Sequence, residues 1–199
     1  DDGTLVTGAI AQTPTSLSLV NVDQTNVNQQ TQVPRTLSNV ADGVKDNDAV
    51  NVSQLNAAKV KYFSVNSTVT GNRDNTGATG VNAIAIGPAA TATKAQSIAL
   101  GNSATAGGTD SIAIGNGSVA ADKVAPVAIG RGTQANGDFS VALGGGNHQF
   151  VGAIANGVGT TALGTYTKTT AGENFQTAVG FGANTTKSNA TAIGYNSAV

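Results

Sequence analysis

The sequence contains no cysteine, which excludes both a disulfide framework and a thiolate metal site. Charged side chains make up only 11% of it, against about 25% in an ordinary soluble domain. The ten Lys and Arg residues are scattered and the formal net charge is −1, so the basic stripe that a nucleic-acid backbone needs is missing. No apolar run reaches the length of about 18 residues typical of a membrane-spanning helix. The residues before Val20 have no signal-peptide pattern, so we expect any export signal to have been removed or to lie outside this sequence.

Small residues fill the place of the missing charges, and they are arranged in an internal repeat. A pentad of small polar residue, aliphatic residue, Ala, aliphatic residue and Gly occurs eight times, with drift at its first two positions. The closing glycines are spaced by 14, 14, 15, 14, 20, 16 and 14 residues, and they are Gly87, Gly101, Gly115, Gly130, Gly144, Gly164, Gly180 and Gly194. Helical hairpin repeats need more than about 30 residues. The period therefore predicts an all-β fold, a β-solenoid whose coils each have two short strands and two turns.

The two strands of a coil differ in polarity. After each pentad, a second segment alternates Ala with Thr or Ser, as in Ser103–Ala106, so only one of its faces is apolar. In the pentad, Ile98 and Leu100 point one way and Ala99 the other, so neither face is polar. One face can pack inside the coil, and the other needs a partner of the same length. We expect that partner to be another copy of the chain. The pattern leaves open which face points inward.

Four segments are predicted along the chain. Residues 1–41 are expected to be the end of a preceding β-rich segment, residues 42–60 a short helical connector, residues 61–82 a strand and a Gly- and Asn-rich loop, and residues 83–199 the repeats. The strand prediction rests on Val60–Val65, which include Tyr62 and Phe63.

A short helix is predicted within the connector. Asp46 or Asp48 is a plausible N-cap, and Ala49, Val52, Leu55 and Ala58 fall near one face. A helix of three turns is too short to be stable alone, so we expect it to pack on copies of itself.

Two motifs resemble those of the trimeric autotransporter adhesins. The heads of that family repeat an Asn-Ser-Val-Ala-Ile-Gly-x-x-Ser motif, and the pentads Ser97–Gly101, Ser111–Gly115 and Ser140–Gly144 match its core. The family also has a neck motif, Asp-Ala-Val-Asn-Val-Ser-Gln-Leu, which Asp48–Leu55 matches at every position, and Asn39–Gly43 is similar to its usual lead. The resemblance covers residues 36–199 and leaves residues 1–35 unidentified.

The resemblance implies a YadA-like head built as a left-handed parallel β-roll, three copies of which associate with a neck. It implies a virulence-associated adhesin of the bacterial surface, in the exposed passenger region of an outer-membrane protein. The C-terminal membrane anchor of the family is expected to lie outside this chain. The expected partners are two further copies of the chain in a homotrimer. The expected ligand is a host matrix protein such as collagen, fibronectin or laminin, or the surface of another cell. Autoagglutination and biofilm formation are the expected consequences. No cofactor and no nucleic-acid partner are implied.

An enzyme built on a solenoid, such as a polysaccharide lyase or an acyltransferase, is the alternative. His148 is the only histidine, but no carboxylate lies near it in sequence and the period is not the six residues of solenoid acyltransferases. Only nine side chains are charged across residues 83–199, and all are expected in turns. We therefore predict no catalytic, cofactor or metal residue and leave the ligand-binding residues unassigned. The loop with Asn147, His148, Gln149 and Phe150 is expected to be exposed and is a candidate contact surface.

Overall fold

The chain was analysed as a computed structural model, which describes residues 36–59, 64–147, 149 and 151–199. It divides into two compact units, residues 1–63 and 64–199. The predictions made for residues 1–35 and for Val60–Phe63 lie outside the described residues. Ser64 and Val65, the remainder of the predicted strand, have no regular secondary structure.

The second unit is a parallel β-solenoid. Its described strands are β1 (Ile84–Ile86), β2 (Thr91–Ala92), β3 (Ile98–Leu100), β4 (Thr105–Ala106), β5 (Ile112–Ile114), β6 (Val119–Ala120), β7 (Val127–Ile129), β8 (Gln134–Ala135), β9 (Val141–Leu143), β10 (Ile154–Ala155), β11 (Thr161–Leu163), β12 (Lys168–Thr169), β13 (Thr177–Val179), β14 (Asn184–Thr185) and β15 (Thr191–Ile193). The eight odd-numbered strands are the eight predicted pentads. The all-β solenoid fold is therefore confirmed; the hand of the coil and its trimeric state stay predictions.

The strands stack into two sheets in sequence order. The pentad strands form one sheet, β1-β3-β5-β7-β9-β11-β13-β15, and the even-numbered strands form the other, β2 to β14. Every pairing is parallel, and equivalent residues of successive coils lie side by side, as in Ala99↔Ala113 and Ala106↔Ala120. We call these the pentad sheet and the second sheet.

The core between the sheets consists of small side chains. The middle Ala of each pentad from Ala99 onward is buried, and so are the Ala residues of β2, β4, β6, β8 and β10. Ile98 and Leu100 therefore point away from the core. The sequence left open which face of the pentad strand points inward. Side-chain size decides this, because the space between the two sheets has room for a methyl group but not for two layers of Ile.

Each coil turns at the glycine that closes its pentad. The eight glycines have φ between +119° and +136°, a region that side-chain-bearing residues rarely adopt. A Cβ on Gly115 would lie 2.7 Å from the carbonyl carbon and oxygen of Gly130 in the next coil. Glycine is required here both for the backbone angle and for the close stacking of coils.

Buried hydroxyl groups complete the corners of the coil. Ser97 and Ser111 begin their pentads, and their Oγ atoms donate to the carbonyls three residues earlier, both at 2.6 Å. At the other corner, Ser118 and Thr133 donate to the carbonyls of Gly115 and Gly130 at 3.0 and 2.9 Å. These bonds satisfy corner carbonyls that no strand pairs with, which explains the preference for Ser and Thr at these positions.

A loop covers the first coil. The Asn72 side chain donates to the carbonyls of Ala85 and Gly87 at 3.2 and 3.1 Å and accepts from the Gly77 backbone N–H at 2.8 Å. The Ala89 backbone N–H donates to the carbonyl of Gly71 at 2.7 Å. Residues 71–80 thus shield the edge strand, which would otherwise expose unpaired backbone groups.

The helix of the first unit is shorter than predicted. The helix α1 spans Val52–Ala57, and its N-cap is Asn51 rather than Asp46 or Asp48. Ala49 therefore lies outside the helix. The Asp48 carboxylate instead accepts from the backbone N–H groups of Val44 and Lys45 at 2.9 and 2.8 Å.

Asn51 caps the helix because its side chain forms hydrogen bonds in several directions. Its Oδ1 accepts from the Gln54 backbone N–H at 3.0 Å, and its Nδ2 donates to the carbonyl of Val40 at 3.1 Å. Gln54 in turn exchanges two bonds of 2.9 Å with the backbone of Gly43. The capping box and the residues that precede it are thus fastened together.

Candidate binding surfaces

The charged side chains of the repeats are dispersed. Lys94 Nζ lies 3.8 Å from Asp122 Oδ2, and both groups are exposed at a corner. Lys168 corrects the prediction that all charges lie in turns: it is in β12, pointing away from the core. Within the residues that the structure describes, no three His, Asp or Glu side chains are grouped as a metal site would need.

Glu173 has the clearest electrostatic role in the repeats. Its Oε2 accepts from the Oγ and the backbone N–H of Ser188 at 2.6 and 2.8 Å. The Ser188 hydroxyl and then its N–H favour the ionised form and lower the pKa of the Glu173 carboxyl. The pKa of Asp48 is likewise lowered by the N–H groups of Lys45 and Val44. In each carboxylate, one oxygen accepts two hydrogen bonds that fasten a loop and favour the ionised form.

The predicted contact loop between β9 and β10 is only partly described. His148 and Phe150 lie outside the described residues. The Gln149 backbone N–H donates to Asn147 Oδ1 at 2.8 Å, which closes a local turn. Beyond the loop, Val151 is half exposed. The proposal that this loop contacts a ligand stays a prediction.

The outer face of the pentad sheet carries an aliphatic stripe. Its third strand position is aliphatic in all eight coils and continuous in register: Ile86, Leu100, Ile114, Ile129, Leu143, Leu163, Val179 and Ile193. The first position is Ile or Val through β9 and Thr in β11, β13 and β15. Four of its members are exposed in the single chain, from 36% for Ile129 to 69% for Ile193, and the other four are half-buried. So long an apolar stripe marks an interaction surface.

The outer face of the second sheet has a different character. Its outward residues follow one another in register as Thr91, Thr105, Val119, Gln134, Ile154, Lys168 and Asn184. Hydroxyl, amide and ammonium groups dominate this row. The two sheets pack on each other through alanine, so the polar row and the aliphatic stripe lie on opposite sides of the coil.

Exposed aromatic side chains stand at the corners, and the sequence reasoning missed them. The ring centroids of Tyr166 and Phe181 are 6.4 Å apart, and those of Phe181 and Tyr195 are 5.8 Å apart and nearly parallel. Phe139 and Phe175 stand at the residue before the pentad, each with φ of +55°. Bulky residues with positive φ are uncommon. Aligning the residues just after each pentad glycine and just before each pentad would have revealed both sets.

The fold and its surfaces define a class of protein. The described repeats present two long faces rather than an enclosed pocket, and no acid–base or metal constellation accompanies them. None of the helices in the described residues is long and apolar enough to cross a membrane. The class is that of a repetitive display scaffold.

Comparison with known protein families identifies the repeats. The family model described as YadA head domain repeat (2 copies) matches residues 78–104, 92–118, 106–123, 127–147 and 177–197. The matched repeats are therefore those of a YadA-like head, the type of head that the cell-surface trimeric autotransporter adhesins carry. No curated protein matches the chain. The strand register continues from β9 through β11 to β13, although the family model does not match β11, as Val141↔Thr161 and Thr161↔Thr177 show.

Proposed function

We propose that the chain forms a homotrimeric adhesin head, preceded by a neck at residues 42–60, which attaches a bacterium to host matrix proteins or to other cells. The observation that carries the proposal is the aliphatic stripe on the pentad sheet. Its eight members per chain are in register along the whole solenoid, so an identical neighbour of equal length matches them. Three chains around one axis would cover the three stripes at once.

The composition of the core supports association. Among the described residues of the repeats, the largest fully buried side chains are Gln176 and several threonines, and the buried apolar side chains are alanines together with Pro126. Alanine buries little area, whereas hydrophobic stabilisation is about 25 cal/mol per Å² of apolar surface removed from water. The large aliphatic side chains of the stripe contribute only when another molecule covers them. A trimer therefore supplies the hydrophobic burial that a single coil lacks.

The first unit carries apolar surface of the same kind. Val50, Val52 and Leu55 are all exposed, although Val52 and Leu55 belong to a helix of only six residues. Such a helix is marginal in water without tertiary contacts. We propose that these residues pack on their copies in a trimeric neck.

The outward surface fits adhesion by many weak contacts. In the described residues it is long, bears few charges and carries shallow recesses, so each site offers a partner little buried area. Three identical faces per trimer and many trimers per cell would raise avidity by about 10²–10⁴. On the cell, this surface would face host matrix proteins such as collagen, and contact between heads of neighbouring cells would produce autoagglutination and biofilm. The head would be the exposed passenger region of an outer-membrane protein.

A binding assay with soluble and arrayed trimers tests the proposal. We expect a soluble trimer to bind collagen, fibronectin or laminin weakly, and trimers on a bead to bind strongly. Single changes at turns, including His148→Ala, should cause only partial loss. Equal affinity of soluble and arrayed trimers, or abolition by one substitution, would show that the ligand occupies a discrete site instead. No observation in the described residues favours the alternative of a solenoid enzyme.

A further inference from the structure

Three shallow recesses run together on the outer face of the second sheet. The first is lined by Asn116, Arg131, Gln134, Asn147 and Val151, among others. The second shares Gln134 and adds Ile154, Asn156 and Lys168. The third shares Ile154, Lys168 and Val151 and adds Tyr166 and Asn184. We call this continuous depression the outer groove.

The outer groove follows the strand register. Gln134, Ile154, Lys168 and Asn184 are register neighbours on β8, β10, β12 and β14. With strands about 4.8 Å apart, the row spans roughly 14 Å. One residue of an extended pyranose chain advances by nearly the same distance as one strand. A linear polysaccharide laid along the row would therefore present successive sugars to successive coils.

The electrostatics of the outer groove favour an anionic ligand. Arg131 and Lys168 are both exposed and line it, whereas no Asp or Glu lines any of its three recesses. Among the described residues, the ion pairs are Arg73–Asp74 and Lys94–Asp122, so neither cation of the groove is neutralised by a neighbour. Elsewhere in the repeats the corners mix charges of both signs.

The other lining groups are those that recognise sugars. The amides of Gln134, Asn156 and Asn184 supply donors and acceptors for hydroxyl groups. Tyr166 is exposed beside the groove and continues into the stacked Phe181 and Tyr195 rings. The C–H face of a pyranose packs on such rings while its hydroxyl groups remain solvated. Two cations are too few for a nucleic acid, which needs a basic stripe.

We propose that the outer groove binds a linear polysaccharide that contains uronic acid residues. The Arg131 guanidinium pairs with one sugar carboxylate in a fork, and the Lys168 ammonium attracts a second. The amides bond the hydroxyl groups between them, and Tyr166 packs against a sugar face. The groove lies opposite the aliphatic stripe, so the proposed trimer leaves it outward, with three copies per head. This site goes beyond the protein partners of the proposed function.

Binding of labelled hyaluronan oligosaccharides to the intact chain tests the proposal, with fluorescence anisotropy as the readout. Hyaluronan carries carboxylates without sulfate. We expect saturable binding that weakens as salt is raised, because exposed charges are screened. A neutral maltodextrin of equal length should bind at least about tenfold more weakly. Equal binding of maltodextrin, tighter binding of single-stranded DNA, or binding of dextran sulfate, which carries sulfate but no uronic acid, without binding of hyaluronan would each overturn the proposal.

Charge-matched variants locate the site. Arg131→Ala with Lys168→Ala should lower hyaluronan affinity about tenfold or more. Lys123→Ala with Lys187→Ala removes the same charge outside the groove and should leave the affinity within about twofold. Tyr166→Asn removes the ring at a position with φ of +63°, which Asn tolerates, and should also weaken binding. Equal losses in the two double variants would show a nonspecific charge effect and contradict the site.

Failure of this site and failure of the adhesin proposal give different results. Sedimentation of the same samples reports assembly, and bead arrays report binding to matrix proteins. A trimer that binds matrix proteins in arrays but not hyaluronan would refute the outer groove alone. A monomer that still binds hyaluronan would refute the trimer alone.

Discussion

The two glycines of one corner serve different purposes. Gly115 has φ of +127°, and the backbone of the next coil occupies the place that a Cβ would take. Gly117 has φ of +63°, and no heavy atom lies within 4 Å of its Cβ position. In other coils the position of Gly117 is held by Ala89, Ser103 or Tyr166, all with positive φ. Only the pentad glycine is fixed by the stacking of the coils.

Substituting both glycines by alanine separates the two effects. Gly117→Ala should cost about 1–2 kcal/mol, the penalty of a left-handed residue. Gly115→Ala should cost more, because the strands must also move apart, and we expect loss of cooperative folding. Chemical denaturation monitored by circular dichroism measures both. Equal free energies of unfolding would contradict the close-stacking explanation.

The alanine core predicts a second contrast. Ala113 is fully buried between the sheets and Thr105 is a half-buried outward residue of the second sheet. Ala113→Asp places an unpaired charge in the core and should destabilise by about 3 kcal/mol or more. Thr105→Asp should remain within about 0.5 kcal/mol of the parent. Thermal melts in which both variants behave alike would refute the assignment of the inward face.

The Glu173 contact predicts a pH dependence. Its carboxyl has a lowered pKa in the folded chain, so it stabilises the fold above its ordinary pKa of about 4.5. That contribution is lost as pH falls through the folded value. Calorimetry at pH 7 and pH 3 should show a higher Tm for the parent than for Glu173→Gln at pH 7 and a smaller difference at pH 3. A difference that grows on acidification would show that the carboxylate does not favour the folded state.

At the scale of strands and turns, the solenoid could be predicted because its signals repeat. Each pentad joins β-branched residues to a glycine, and eight copies such as Ser97–Gly101 reinforce one another. The inward face could not be predicted, because Ala and Ile are both apolar. Only the thinness of the coil, set by the second sheet, decides between them.

The helix shows where local signals compete. Asp46, Asp48 and Asn51 can all cap a helix, so the sequence does not choose among them. The choice depends on Asn51 bonding Val40 across eleven positions of sequence, as Gln54 does with Gly43. Hydrogen bonds between residues so far apart in sequence cannot be predicted from the residues next to the helix.

The candidate surfaces were predicted only in part. The unpaired apolar stripe followed from the pentad pattern, and it is confirmed as an exposed face of the single chain. The outer groove did not follow, because Arg131 and Lys168 are far apart in sequence. They line one groove because β8, β10 and β12 are neighbours in the second sheet, which places Gln134, Ile154 and Lys168 in one row beside Arg131.

At the scale of the whole molecule, stability and assembly are expected to be inseparable. Backbone ladders and small side chains hold each coil, and the large aliphatic side chains lie outside it. A single chain would expose the full stripe to water, with the aggregation risk of any long apolar face. The account therefore depends on the pentad sheet being covered by two further copies.

Sedimentation equilibrium of the intact chain tests that dependence most directly. We expect a species of three times the chain mass with no folded monomer at micromolar concentration. The double variant Leu100→Asp with Ile114→Asp, on the stripe, should lose the trimer, whereas Thr91→Asp with Thr105→Asp, on the opposite face, should keep it. A parent chain that sediments as a stable, folded monomer would contradict the central claim.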